Sequence, residues 1–148
     1  MIPQSAGFGV KEMKEITIKG HKIVGGRVQG RALVSKDPVC FLKTIDPAGL
    51  GVEEGHALEG KSVTGTILVY PTGKGSTAAS YKLYQMCLDG TAPKAIINAK
   101  ADSVTISGAF LGNIPMVHMF DVDPTEVIQT GDEVNVDGDT GTVKVITH

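Results

Sequence analysis

The run from Lys61 to Asn98 limits the possible folds more than any other part of the chain. It opens with KSVTGTILVYP, in which Val63, Thr66, Ile67, Leu68 and Val69 form a nearly continuous apolar series ending at Pro71. Such a series marks a strand covered on both faces. TGKGST follows, and then a stretch with helical periodicity to about Asp89, which Ser76 or Thr77 can cap. Gly90 supplies a left-handed stop and Pro93 lies beyond it. Lys82, Gln85 and Asp89 share one narrow polar face, while Ala79, Leu83, Met86, Cys87 and Leu88 cover the rest, as in a helix packed on a sheet. Ala95–Asn98 is a second short apolar strand. Strand, glycine turn, helix and strand make a right-handed crossover between parallel neighbours, so the fold class is α/β.

The flanking segments add to this unit. From Ile16 to Val34, β-branched and polar residues alternate around Gly20, Gly25 and Gly26, which predicts short antiparallel strands joined by tight turns. Residues 35–60 hold Pro38, Pro47 and several glycines without a sustained period. A loop of that length is usually functional or packed on itself. Asp102 or Ser103 can cap a short helix through Phe110, although Val104, Thr105 and Ile106 would suit a strand equally well. Met116–Met119 follows as a strand, and Gly131–Ile146 as a β-hairpin turning at Asp137, Gly138 and Asp139. No repeat or linker divides the chain. Residues 1–14 are expected to be a flexible tail, and 15–148 one folded domain.

Composition excludes several classes. A chain of 148 residues can bury a core without disulfides or a structural metal. A net charge of −2 gives no attraction for phosphate backbones or anionic lipid, so neither nucleic acid nor membrane is an expected partner. The two cysteines, Cys40 and Cys87, are far apart and form no ligand motif. No metal site is expected in this chain. No run approaches the roughly 18 to 20 apolar residues of a membrane span, and the first residues lack a secretory pattern, so a cytoplasmic location is expected.

The turn Gly73-Lys74-Gly75-Ser76-Thr77 gathers backbone amides, a cation and two hydroxyls at a helix N-terminus. Free amides at the positive end of a helix dipole attract phosphate or carboxylate. The turn also sits at the carboxyl edge of a covered strand, where α/β sheets bind ligands. It is not a Walker A loop, because Gly75 follows the lysine and Leu68 stands where the first glycine belongs. Nor is Ser76 in a GxSxG elbow. Two readings stay open: the glycines only bend the chain while Ser76 only caps, or Ser76 is a base whose oxygen the amides and Lys74 support.

The turn, with APKAII at Ala92–Ile97, Gly108-Ala109 and IPMV at Ile114–Val117, resembles the small subunit or swivel domain of the aconitase X family over about Ile16–Val145. The most specific element is P-x-G-[RK]-G-S-[ST] at Pro71–Thr77. The resemblance implies a swivelling β/β/α domain, a barrel-like β core with flanking helices that closes over a larger catalytic subunit. It implies an iron-sulfur cluster carried by that partner and none bound by this chain. It assigns Ser76 as the base; Gly73, Lys74, Gly75 and Thr77 are expected to form the part of an anion pocket that binds the substrate. The expected reaction is reversible dehydration of a small anionic hydroxy acid, (R)-mevalonate 5-phosphate ahead of cis-3-hydroxy-L-proline. A non-catalytic anion-binding module is the alternative from another class. Two departures bear on the substrate: FLKTIDP at Phe41–Pro47 carries Lys43 and Thr44 where family members have glycines, and Ala79 replaces a frequent glycine.

Smaller signals favour structural roles. His56 reads as part of a polar surface turn and His118 as a strand end, with a minor metal-ligand possibility beside Asp121 and Asp123. Asn135, Asp137 and Asp139 lack the glycine and glutamate of a calcium loop, having Thr140 and Ile146 in those places. Asp46-Pro47 reads equally as a turn or a subunit contact. Cys87 fits a helix core and Cys40 a partly buried thiol.

Overall fold

The computed structural model describes residues 13–147. Eight strands form one sheet in the order β1-β8-β7-β3-β4-β5-β6-β2. The strands are β1 (Lys14–Lys19), β2 (His21–Val24), β3 (Arg27–Val34), β4 (Ile67–Tyr70), β5 (Ala95–Asn98), β6 (Met116–His118), β7 (Glu133–Asp137) and β8 (Thr142–Thr147). The helices are α1 (Ala78–Asp89), α2 (Ser103–Gly112) and α3 (Pro124–Val127). Most of the expected flexible tail, residues 1–12, lies outside the described residues; Lys14, expected to belong to it, opens β1.

The sheet has two halves that meet at β3. Strands β3, β4, β5 and β6 run parallel, in register Leu33 to Leu68, Val69 to Ile97 and Ile97 to Val117. On the other side of β3, β7 and β8 form the predicted hairpin and β1 pairs antiparallel with β8. The parallel half follows from the apolar runs of β4 and β5, all of whose residues are buried. Alternation divides these runs between two cores. Leu68, Tyr70 and Ile96 face Ala79, Leu83 and Met86 of α1, Ala109 of α2 and Val39, Phe41, Ile45 and Leu58 of the long excursion. Ile67, Val69 and Ile97 face Ile18, Val134, Val136, Val143 and Val145, which come from the opposite end of the sheet. Strands from both ends share one interior only if the sheet curls, which is the expected barrel-like core with helices outside.

The N-terminal strands form as predicted, but their pairing needs correction. β1, β2 and β3 make no hairpins with one another; β1 pairs with β8, β2 with β6, and β3 with β4 and β7. Only Gly20 separates β1 from β2, one residue fewer than the shortest common hairpin loop needs. Gly20 instead forms a corner. Its amide donates to Gly141 O at 2.8 Å, and a Cβ there would stand 2.7 Å from His118 O.

The excursion at 35–60 is packed on itself, as its length foretold. Short bridges join Ile45 to Gly51, Leu50 to Ser62 and Gly51 to Glu59. A Cβ on Gly51 would lie 1.8 Å from Leu58 O, so this backbone crossing requires glycine. Asp46 Oδ1 accepts the amides of Ala48 and Leu50, each at 2.9 Å, which realises the turn reading of Asp46-Pro47. His56 Nδ1 accepts the Leu58 amide at 3.0 Å, which leaves the proton on Nε2 for Pro38 O at 2.7 Å. Its role is therefore to hold the loop.

Candidate active site

Helix α1 begins without a side-chain cap. Thr77 occupies the cap position with helical φ −53° and ψ −32°, and no side chain accepts a capping hydrogen bond from the first-turn amides; the one side-chain bond there is the Ser80 hydroxyl donating to Thr77 O at 2.7 Å. Backbone bonds of the i to i+3 type, Ala79 N to Ser76 O at 2.9 Å and Ser80 N to Thr77 O at 3.0 Å, lead into the helix instead. The expectation that Ser76 or Thr77 caps α1 is thus corrected, and the correction removes the purely structural use of the serine. Ser76 is exposed, and its hydroxyl has no hydrogen-bond partner among the described residues. The amides of Gly75, Ser76 and Thr77 likewise have no acceptor there. Lys74 is exposed and forms no ion pair among the described residues.

Both turn glycines are dictated by their surroundings. Gly73 is buried, and a Cβ on it would stand 2.1 Å from Asp102 Oδ1 and 2.4 Å from Thr105 Oγ1. Gly75 has φ +119°, and its Cβ would stand 2.4 Å from Cys40 Sγ. The turn is pinned from the excursion side as well: Val39 N donates to Thr72 O at 3.2 Å and Lys74 N to Val39 O at 3.1 Å. A free hydroxyl, three free amides and a cation are therefore presented on a fixed backbone at the carboxyl end of β4, the place where α/β sheets take ligands.

The other end of α1 is as predicted: Gly90 is left-handed at φ 77°. The faces of the helix differ from expectation in two residues. Leu88 is 63% exposed, and Lys82 turns toward the excursion, where its ammonium donates to Leu42 O at 3.2 Å and to Ile45 O. Burial of the ammonium holds its pKa below the usual lysine range. Sequence periodicity could not show this contact, because its acceptors are backbone carbonyls of an irregular loop.

A family model for the aconitase X swivel domain matches residues 17–145. The chain belongs to the aconitase X swivel domain family. It is 50% identical over 129 residues to the phosphomevalonate dehydratase small subunit of Methanocella arvoryzae, covering 86% of this chain and 98% of the relative. It is 42% identical over 130 residues to the protein of the same name from Thermococcus kodakarensis, covering 87% and 96%. The crystal structure of the holo-form of Thermococcus kodakaraensis aconitase X superposes with a TM-score of 0.84 at 41% identity, covering 89% of this chain and 99% of that one.

In this aconitase X swivel domain the Lys43-Thr44 departure has a clear local structure. Thr44 is fully buried: its hydroxyl accepts the Cys40 amide at 3.1 Å and donates to Glu53 Oε1 at 2.6 Å. Lys43 stays exposed, 4.0 Å from Glu53 Oε2. The Thr44 hydrogen bond, outweighing partial desolvation, and the charges of Lys43 and Lys74 hold the Glu53 carboxyl below the usual glutamate range. A lowered folded-state pKa means the contribution to stability is complete above the ordinary value and is lost as pH falls through the lowered one. Thr44→Val should move the Glu53 titration upward toward its ordinary value in a carboxyl-detected NMR titration; an unmoved midpoint would contradict this account.

The residues do not fit an iron-sulfur cluster. Cys40 is buried against Gly75, Cys87 is half-buried on α1 with its thiol pushed up by burial, and no three His, Cys, Asp or Glu side chains gather as a ligand set among the described residues. His118 ends β6 as predicted, and its Nδ1 accepts the Ala101 amide at 2.9 Å. Asp137 Oδ1 accepts the amides of Asp139 and Thr140 at 3.1 and 3.3 Å, the bonding of a hairpin turn. No described helix is long and apolar enough to cross a membrane.

Proposed function

We propose that this chain is the small subunit of a cytoplasmic aconitase X-type hydro-lyase that reversibly converts (R)-mevalonate 5-phosphate to trans-anhydromevalonate 5-phosphate, with Ser76 as the general base. The observation that carries the role of Ser76 is its exposed hydroxyl, free of any capping bond, on a turn held rigid by Gly73 and Gly75. The name shared by the relatives supports the substrate and the existence of a larger partner subunit.

The reaction breaks the bond between hydrogen and the carbon beside the carboxylate, and that between oxygen and the next carbon; a double bond forms and water leaves. Ser76 takes the proton. An ordinary hydroxyl is a poor base, so its oxygen needs donors and positive charge to carry alkoxide character. The amides of Gly75 and Thr77 and the ammonium of Lys74 are the groups at hand. The same amides, at the N-terminus of α1, would hold an anionic group of the substrate and so fix the carbon against Ser76. Gly73 contributes by letting the turn lie close to α2. The iron-sulfur cluster belongs to the large subunit in this reading, since Cys40 and Cys87 do not fit it; when present it supplies a Lewis acid for the departing hydroxyl.

The test is anaerobic purification of the chain with its large subunit, iron-sulfur reconstitution, and a dehydration assay on mevalonate 5-phosphate and cis-3-hydroxy-L-proline. Formation of anhydromevalonate phosphate is the expected result. Turnover of the hydroxyproline alone would replace the substrate. A stable complex that binds anions but dehydrates neither compound would favour a non-catalytic module.

A further inference from the structure

Beneath the Ser76 turn lies a layer of buried polar groups contributed by β4, β5 and α2. Asp102 caps α2 through Oδ2, which accepts the Thr105 amide at 3.3 Å, while its Oδ1 is buried with no hydrogen-bond partner. That second oxygen and the Thr105 hydroxyl are the two atoms a Cβ on Gly73 would strike first. Tyr70 and Asn98, the last residues of β4 and β5 and cross-strand partners, close the layer. Asn98 Nδ2 donates to Tyr70 O at 3.0 Å, and the Tyr70 hydroxyl and Asn98 Oδ1 are again buried and unpaired. Burial pushes the Tyr70 hydroxyl well above the usual tyrosine range, with the Thr105 and Asn98 side chains beside it. Lys100 N donates to Pro71 O at 3.0 Å and ties the segment between β5 and α2 to the start of the turn.

Capping a helix needs one side-chain oxygen, and Ser or Asn would serve α2 as well as Asp. A second carboxylate oxygen kept out of water without a partner is costly. Such groups in native structures call for an explanation beyond the cap. Here the unexplained oxygen faces Gly73, three residues from Ser76.

We propose that Asp102 and Thr105 are positioning residues that set the height and tilt of the Gly73–Ser76 turn and thereby aim the Ser76 hydroxyl at the substrate carbon. The proposal rests on the reading of Ser76 as the base. Neither residue touches substrate; each acts through the backbone of Gly73. Displacing a reacting group by about 1 Å can cost about a hundredfold in rate, so small changes in this seat should be read mainly in kcat.

The experiment uses the complex with the large subunit and four variants of this chain. Asp102→Asn keeps the shape and the cap but removes the charge. Thr105→Val keeps the shape but removes the hydroxyl, and Thr105→Ser restores it. In Asp102→Asn and Thr105→Val, kcat should fall by about tenfold to a hundredfold, with KM within about twofold and an unchanged melting temperature. Thr105→Ser should recover most of kcat. Unchanged kcat in both shape-conserving variants, or a loss that Thr105→Ser shares fully with Thr105→Val, overturns the proposal; should Asp102→Asn not assemble, the Thr105 pair decides alone. Ser76→Ala, assayed alongside, separates the two failures. Full turnover there removes the base assignment itself, whereas lost turnover there with normal kcat in the seat variants removes only the positioning.

Discussion

Ser76→Ala should lower turnover of the assembled dehydratase by about 10²- to 10⁴-fold, the usual contribution of a positioned general base. Assembly should be unaffected. The hydroxyl makes no capping bond to α1 and is exposed, so its removal leaves no buried group unpaired and no cavity. KM should change little, because the amides of Gly75, Ser76 and Thr77 remain in place to bind the anion. The comparison is made by steady-state kinetics and by the melting temperature of the complex. A simultaneous loss of stability would mean that Ser76 is a structural residue after all.

Gly73→Ala should do comparable damage by a different route. The added methyl would have to occupy space 2.1 Å from Asp102 Oδ1, 2.4 Å from Thr105 Oγ1 and 2.8 Å from Asp102 Cγ. None of these atoms is the loose end of a long side chain, since Asp102 Oδ2 is engaged by the Thr105 amide and Thr105 is buried. The turn must therefore lift. A displacement near 1 Å would cost about a hundredfold in kcat. Overpacking of this kind also costs about 1–3 kcal/mol of stability. Unlike Ser76→Ala, this variant should thus lose both turnover and melting temperature, which calorimetry and kinetics on the same preparation will show.

The unit from β4 to β5 was legible because local signals agreed with each other. An apolar run, a glycine turn, an amphipathic helix and Gly90 each specify their own neighbourhood, and together they leave little choice of topology. Asp102 was legible for the same reason, as a residue that caps a helix through its own side chain. The pairing of β1, β2 and β3 was not. It depends on β6, β7 and β8, strands roughly a hundred residues further along the chain, and alternation in a strand says nothing of its partner. The short helix α3 is not specified by pattern, although Asp123 caps it and Pro124 occupies its first turn, because four residues carry no periodicity.

At the candidate site the sequence exposed the residues but not their support. Gly73, Lys74, Gly75, Ser76 and Thr77 adjoin in the chain, so they could be read together. The oxygens of Asp102 and Thr105 under Gly73, and the thiol of Cys40 under Gly75, come from distant segments and are visible only in the fold. The same holds for the buried link from Thr44 to Glu53, which gives the Lys43-Thr44 departure its local meaning. Ser76 itself was ambiguous in sequence because a serine before a helix usually caps it. Its free hydroxyl is what favours chemistry.

The most direct measurement is deuterium exchange at the substrate carbon beside the carboxylate. The assembled enzyme and its Ser76→Ala variant would each be equilibrated with anhydromevalonate phosphate and mevalonate 5-phosphate in deuterated water, and isotope incorporation followed by mass spectrometry. The wild-type complex should place deuterium on that carbon, and the Ser76→Ala complex should not. Incorporation by Ser76→Ala at the wild-type rate would show that another group moves the proton, and would contradict the assignment of the base to this subunit's turn.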